Sequence, residues 1–208
     1  MSSMADPVNN YLVHLSRDRK MKKILGIQEP VKLVRRSKVH FYLCASIMSQ
    51  QLSTRVARVI HQRFLNLYGS KIPSPTMVLE TSAEMLRSVG LSRAKASYIH
   101  NVSRFALEKG MSQRDFAKMG DEEAISYLTQ IKGVGRWTAE MLLIFTLGRQ
   151  DVFAMDDLGI QQAMMKLYRL DNADKKRFRQ DIANISEKWR PFRSYACLHL
   201  WRWKDKAK

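Results

Sequence analysis

The chain has little with which to build covalent or metal-centred architecture: of its 208 residues only two are cysteine, Cys44 and Cys197. They lie far apart inside apolar patterns of helical spacing, so neither a disulfide framework nor a metal-ligand cluster is on offer, and both are expected as buried, reduced thiols. Long apolar runs are missing too. Nothing approaches the roughly 18 to 20 residues a bilayer span needs, and the opening MSSMADPVNNYLVHL lacks the basic-then-apolar order of a signal peptide. A soluble, intracellular protein with no membrane partner is expected, its compartment left open. Sustained period-two alternation, the signature of half-buried strands, is absent. Acidic residues are scarce: 19 Asp and Glu stand against 36 Lys and Arg, a formal net charge of +17. Such a balance suits a polyanion partner without naming one.

What the sequence does have is apolar residues recurring at three and four almost everywhere after residue 38, which predicts an all-α protein. The stretch from Val39 to Tyr68 reads as two helices parted by the polar corner SQQLS. A helix starts at Ser82 with Glu84 in its first turn and stops at Gly90, and another runs from Ser92 to near Gly110. The same grammar gives a helix-hairpin-helix over about residues 121–148, its first helix stopping near Gln130. Asp156 or Asp157 is placed to cap a helix carrying Ile160, Met164, Leu167 and Tyr168. A charged helical region follows, and Pro191 suits the start of a last helix with Trp201 near its end. No low-complexity linker divides the chain, so residues 1–208 are expected as a single two-lobed unit, with lobes of about 1–38 plus 150–208 and 39–149.

The hairpin stretch IKGVGRWTAEMLLIF has two readings. In one, GVG only turns tightly between packed helices. Alternatively, Lys132, Arg136 and the backbone N–H groups from Gly133 through Gly135 to Trp137 converge on one phosphate, a contact that positions DNA without reading its sequence.

LTQIKGVGRWTAEMLL followed by VFAMDDLGI resembles the helix-hairpin-helix (HhH-GPD) DNA glycosylase superfamily of base excision repair, and its short-form 3-methyladenine DNA glycosylase II branch in particular. The likeness extends to SIMSQQLSTRVA and to WRPFRSYACLHLW, and so covers most of the chain from about residue 40. It implies a two-lobed helical fold with a catalytic cleft between lobes, double-stranded DNA with damaged bases as the partner, and a monomer. It also implies a catalytic aspartate after the hairpin. The branch spacing counted from Trp137 falls on Asp157, with Asp156 the second choice and otherwise a cap or support for its neighbour. Such a carboxylate is needed because breaking an N-glycosidic bond develops positive charge on the sugar. Trp137 and Trp201 match pocket aromatics that attract a cationic alkylated base, an interaction of roughly 0.5 to 2 kcal/mol, with a plain core role as the lesser alternative for each. Gln51, with Leu52 as second choice, matches the plug that fills the gap left by a flipped nucleotide. Main-chain carbonyls of Thr129, Ile131 and Val134 match the ligands of a structural Na+ or K+ at the hairpin, with no other cofactor required.

The departures from the pattern are informative. Trp137 stands where lyase members carry a nucleophilic lysine, so a monofunctional hydrolase is implied. Two distant cysteines cannot supply the four-cysteine iron–sulfur cluster of another branch, and residues before the first motif are too few for the long form's β-rich domain. Met141 and Leu158 fall where the branch can place tyrosines. They leave base preference open, together with the alternative of a DNA-binding protein of the same fold that recognises damaged or structured DNA without cleaving it.

Overall fold

The computed structural model describes residues 7–206, and every regular element among them is an α-helix, as the apolar spacing predicts. In chain order these are α1 (Pro7–Leu15), α2 (Arg19–Leu25), α3 (Val39–Ser49), α4 (Thr54–Asn66), α5 (Pro75–Glu80), α6 (Ala83–Ser88), α7 (Arg93–Glu108), α8 (Gln113–Ala117), α9 (Asp121–Thr129), α10 (Arg136–Phe145), α11 (Leu158–Tyr168), α12 (Lys175–Glu187) and α13 (Arg193–Lys206). They fall into two compact units: Arg35–Leu147 is continuous in sequence, whereas the other combines Met1–Val34 with Gly148–Lys208.

In the continuous unit α3 is apolar nearly all round, burying Phe41, Leu43, Cys44, Ile47 and Met48, and it packs against α4, α7 and α10. Two buried polar side chains of this core, His40 and Ser103, satisfy each other. Ser103 Oγ donates to the Ile99 carbonyl at 2.9 Å and therefore accepts from His40 Nε2–H at 2.8 Å, which places a proton on Nε2. Burial drives the His40 pKa down to about 4. Five helices of this unit start on serines: Ser53, Ser74, Ser82, Ser92 and Ser112 each accept a backbone N–H from the first turn, a cap that contributes about 1 kcal/mol. The starts expected at Ser82 and Ser92 and the stop near Gln130 are all in place. The short helices α5 and α8 were not foreseen, because five or six residues carry too little periodicity to detect, and equally short α6 was legible only from its serine start and glycine stop.

In the discontinuous unit α11 packs on α13 and α13 on α2. Tyr11 stacks on Tyr195 with ring centroids 4.1 Å apart, and its hydroxyl accepts the Val31 N–H at 2.7 Å while donating to His199 Nε2 at 3.2 Å. His199 Nδ1 must then carry the proton, which it donates to Gln28 Oε1 at 3.0 Å, and Gln28 returns an N–H to the His199 carbonyl. Burial, with help from Arg202, lowers the His199 pKa to about 4. Both cysteines are buried free thiols. The last helix corrects the sequence expectation: it begins at Arg193 and not at Pro191, because Phe192 N–H closes a turn on the Trp189 carbonyl and Ser194 N–H is drawn to Gln150 O at 2.9 Å.

Candidate functional site

The segment leading to the paired aspartates is pinned by the start of α13. Arg193 donates to the Asp151 carboxylate at 2.8 Å and to the Asp151 carbonyl at 2.7 Å. Ser194 Oγ accepts the Val152 N–H at 2.9 Å and donates to the Val152 carbonyl at 3.2 Å, forming a two-way clasp. Beyond the clasp, Asp157 arrives as the N-cap of α11, where Oδ1 accepts the Ile160 N–H at 2.9 Å. The same oxygen accepts the Trp201 indole N–H from α13 at 2.8 Å. Asp156 diverges from its neighbour: it is exposed and ion-paired with Arg179 of α12. Asp156 was expected to cap the helix or support its neighbour, and this needs correcting. Cap and indole acceptor are both Asp157, since only its side chain folds back over the first turn.

One residue here escaped the sequence reading. A Cβ on Gly159 would lie 3.0 Å from Asp157 Oδ1 and 3.2 Å from Trp201 Cδ1, so glycine lets the indole settle on the carboxylate. Its signal was a glycine inside a helix that it weakens by about 1 kcal/mol relative to alanine without ending it.

In the hairpin, Gly133 adopts φ +104°, and a Cβ there would sit 2.2 Å from the Tyr98 ring of α7. The turn closes with Val134 N–H on the Ile131 carbonyl at 2.9 Å, and Asn101 donates to the Lys132 carbonyl at 3.1 Å. Gly135 caps α10 with no side-chain acceptor. The first-turn N–H groups of α10 are thus presented beside the exposed side chains of Lys132 and Trp137. Arg136 requires a second correction. Its guanidinium is spent on two carboxylates, a fork onto Glu122 at 2.6 and 2.9 Å and a contact with Glu140 at 3.0 Å, so it braces α9 to α10 in place of offering a free cation to phosphate. Thr129, Ile131 and Val134 lie along this turn, where the Ile131 carbonyl accepts the Val134 N–H.

At the SQQLS corner Gln51 takes the left-handed conformation, φ +58°, and its side chain and that of Leu52 are exposed. A non-glycine residue held there stores local strain of order 1 kcal/mol or more. Lys95 of α7, also missed in the sequence, holds the corner by donating to the Met48 carbonyl at 2.9 Å and the Gln50 carbonyl at 2.7 Å, and burial lowers its pKa. Gln50 turns inward to Thr138 Oγ1 at 3.1 Å, leaving Gln51 as the outward residue.

The four base-pocket candidates divide between the units. Met141 is nearly buried and lines a 310 Å³ groove between α3 and α10, with Tyr42 and Phe145 as aromatic walls. Trp137, in the same unit, is 38% exposed. In the other unit Trp201 sits on Asp157, and Leu158 is exposed at the start of α11.

Residues 44–188 match the HhH-GPD superfamily of base excision DNA repair proteins. Over 186 residues the chain is 32% identical to DNA-3-methyladenine glycosylase 1 of Schizosaccharomyces pombe, spanning 88% of this chain and 80% of that one. A structure of the S. pombe 3-methyladenine DNA glycosylase Mag1, in complex with abasic DNA, superimposes with a TM-score of 0.82 at 30% identity over 93% of this chain and 95% of that one. A DNA-3-methyladenine glycosidase from Bacillus halodurans does so equally, with a TM-score of 0.82 at 30% identity over 98% of this chain and 91% of that one. By the extent of that match and by its fold, the chain belongs to the HhH-GPD superfamily of base excision DNA repair proteins.

Proposed function

We propose that this protein is a monofunctional DNA glycosylase that removes alkylated purines, of the 3-methyladenine and 7-methylguanine class, from double-stranded DNA and leaves an abasic site. The observation that carries the reading is the Asp157 carboxylate, fixed by the Ile160 N–H and the Trp201 indole in a chain otherwise related to enzymes named for this activity. As the N-glycosidic bond breaks, its electron pair leaves with the base and positive charge grows on the sugar. Asp157 stabilises that charge through space. Water then adds to the sugar carbon, and its proton passes to Asp157 or to solvent. A ring-methylated purine is already cationic and departs neutral, so no separate general acid is required.

The other parts of the site have supporting roles. The open start of α10 with Lys132 holds a backbone phosphate, and Gln51 with Leu52 fills the space of the flipped nucleotide. Trp137 carries no amine, so no Schiff base forms there. The carbonyls of Thr129, Ile131 and Val134 would hold Na+ or K+ between hairpin and phosphate, and the two cysteines carry no iron–sulfur cluster. The protein works as a monomer on DNA inside the cell.

The test is release of free 3-methyladenine and 7-methylguanine from methylated duplex DNA by the unmodified protein and by Asp157→Asn. Release by the first and not by the second is expected. Binding to abasic duplex without any base release would instead favour a non-cleaving recognition protein, and loss of release in Asp156→Asn alone would move the catalytic role to that residue.

A further inference from the structure

The discontinuous unit holds a 560 Å³ cavity formed by the α1–α2 corner, the end of α11 and the end of α12. Its rim carries Arg17, Arg19, Lys20 and Lys188, and among the described residues none of the four is in an ion pair. The one carboxylate in the wall, Asp18, is committed to the floor. Its Oδ1 accepts the Lys20 and Met21 N–H groups at 2.8 and 3.2 Å, and its Oδ2 accepts Tyr168 OH at 2.6 Å and the Trp189 indole at 3.2 Å. Like charges lining one cavity favour an anion among them. The floor also says which part of a ligand is engaged. Lys20 Nζ covers the Tyr168 ring at 4.8 Å and Trp189 is 1% exposed, so little aromatic face is left on which a base could stack. Exposed Lys22 and Lys23 continue the positive lane along α2, which suits a chain of phosphates better than a single small anion.

We propose that this cavity is a second DNA contact, which seats sugar-phosphate backbone through Arg17, Arg19, Lys20 and Lys188 and reads no bases. It rests on the reading of the chain as a DNA-binding repair protein, and none of its residues belongs to the aspartate corner or the hairpin.

The experiment is the salt dependence of binding to undamaged duplex, comparing the full chain with a variant carrying Arg17→Gln, Arg19→Gln, Lys20→Gln and Lys188→Gln. Each phosphate contact contributes about 0.9 to the slope of log K against log salt, so the slope should become shallower by roughly 3 to 4. Base release at saturating enzyme should be unchanged, with an unchanged melting temperature showing that the variant is folded. In the unmodified protein, the nuclear magnetic resonance signal of the Trp189 indole N–H should shift on adding duplex. An unchanged slope, or a Trp189 signal that moves with inorganic phosphate and not with duplex, overturns the proposal. A protein that shows the slope change but releases no base overturns the glycosylase reading and leaves this one standing.

Discussion

At Asp157 two roles share one side chain, and the substitution chosen decides which of them is tested. Asparagine caps helices as well as aspartate does and keeps an oxygen for both Ile160 N–H and the Trp201 indole. Asp157→Asn should therefore melt within about 0.5 kcal/mol of the parent while base release falls by roughly a hundredfold or more, the scale of a lost electrostatic stabiliser. Asp157→Ala should lose the same activity and about 1 kcal/mol of stability besides, readable by urea denaturation. Asp156→Asn should change neither, because its partner Arg179 is exposed and such surface pairs contribute little. Trp201→Phe keeps an aromatic ring and removes one donor. Its kcat should fall with KM nearly constant, which a loosened carboxylate produces and a lost base-stacking surface does not.

Among the elements, the hairpin is the one where local spelling and tertiary contact meet. Gly133→Ala would combine a positive φ with a Cβ 2.2 Å from the Tyr98 ring, and should cost roughly 2 kcal/mol or more. Adding Tyr98→Ala should recover part of that stability in thermal melts, because it removes the ring and leaves only the backbone strain. This element also marks how far the sequence could be read. Serine caps, glycine stops and the GVG turn each act on backbone within about four residues of themselves, so most helix starts and stops and the order of motifs were legible. Arg136 looked like a phosphate ligand because Glu122, which takes its two terminal nitrogens, lies 14 residues upstream; only the pairing with Glu140, four residues on, had a local signal. Lys95 reaches Gln50 across 45 positions, and Trp201 reaches Asp157 across 44, so the supports of the corner and the carboxylate could be seen only after folding.

For the whole molecule, acid should act on both units over the same range. His40 lies in one unit and His199 in the other, and burial lowers each pKa from 6.5 to about 4. Between these values the unfolded chain binds protons that the folded chain refuses, so stability is full above about pH 6.5 and is lost as pH falls toward 4. The loss is at most roughly 3 kcal/mol per histidine. Urea midpoints should therefore drop steadily from pH 7 to pH 4.5, and an unchanged midpoint would show that neither imidazole is buried uncharged.

The division of the chain also bears on its synthesis. Residues 35–147 form one unit without interruption, whereas the Asp157 oxygen is gripped by an indole made 44 residues later. On a ribosome the hairpin unit can fold while translation continues, as domains commonly do. The carboxylate gains its full set of contacts only once Trp201 has emerged, so a nascent chain could hold DNA before it is equipped to cut a base from it.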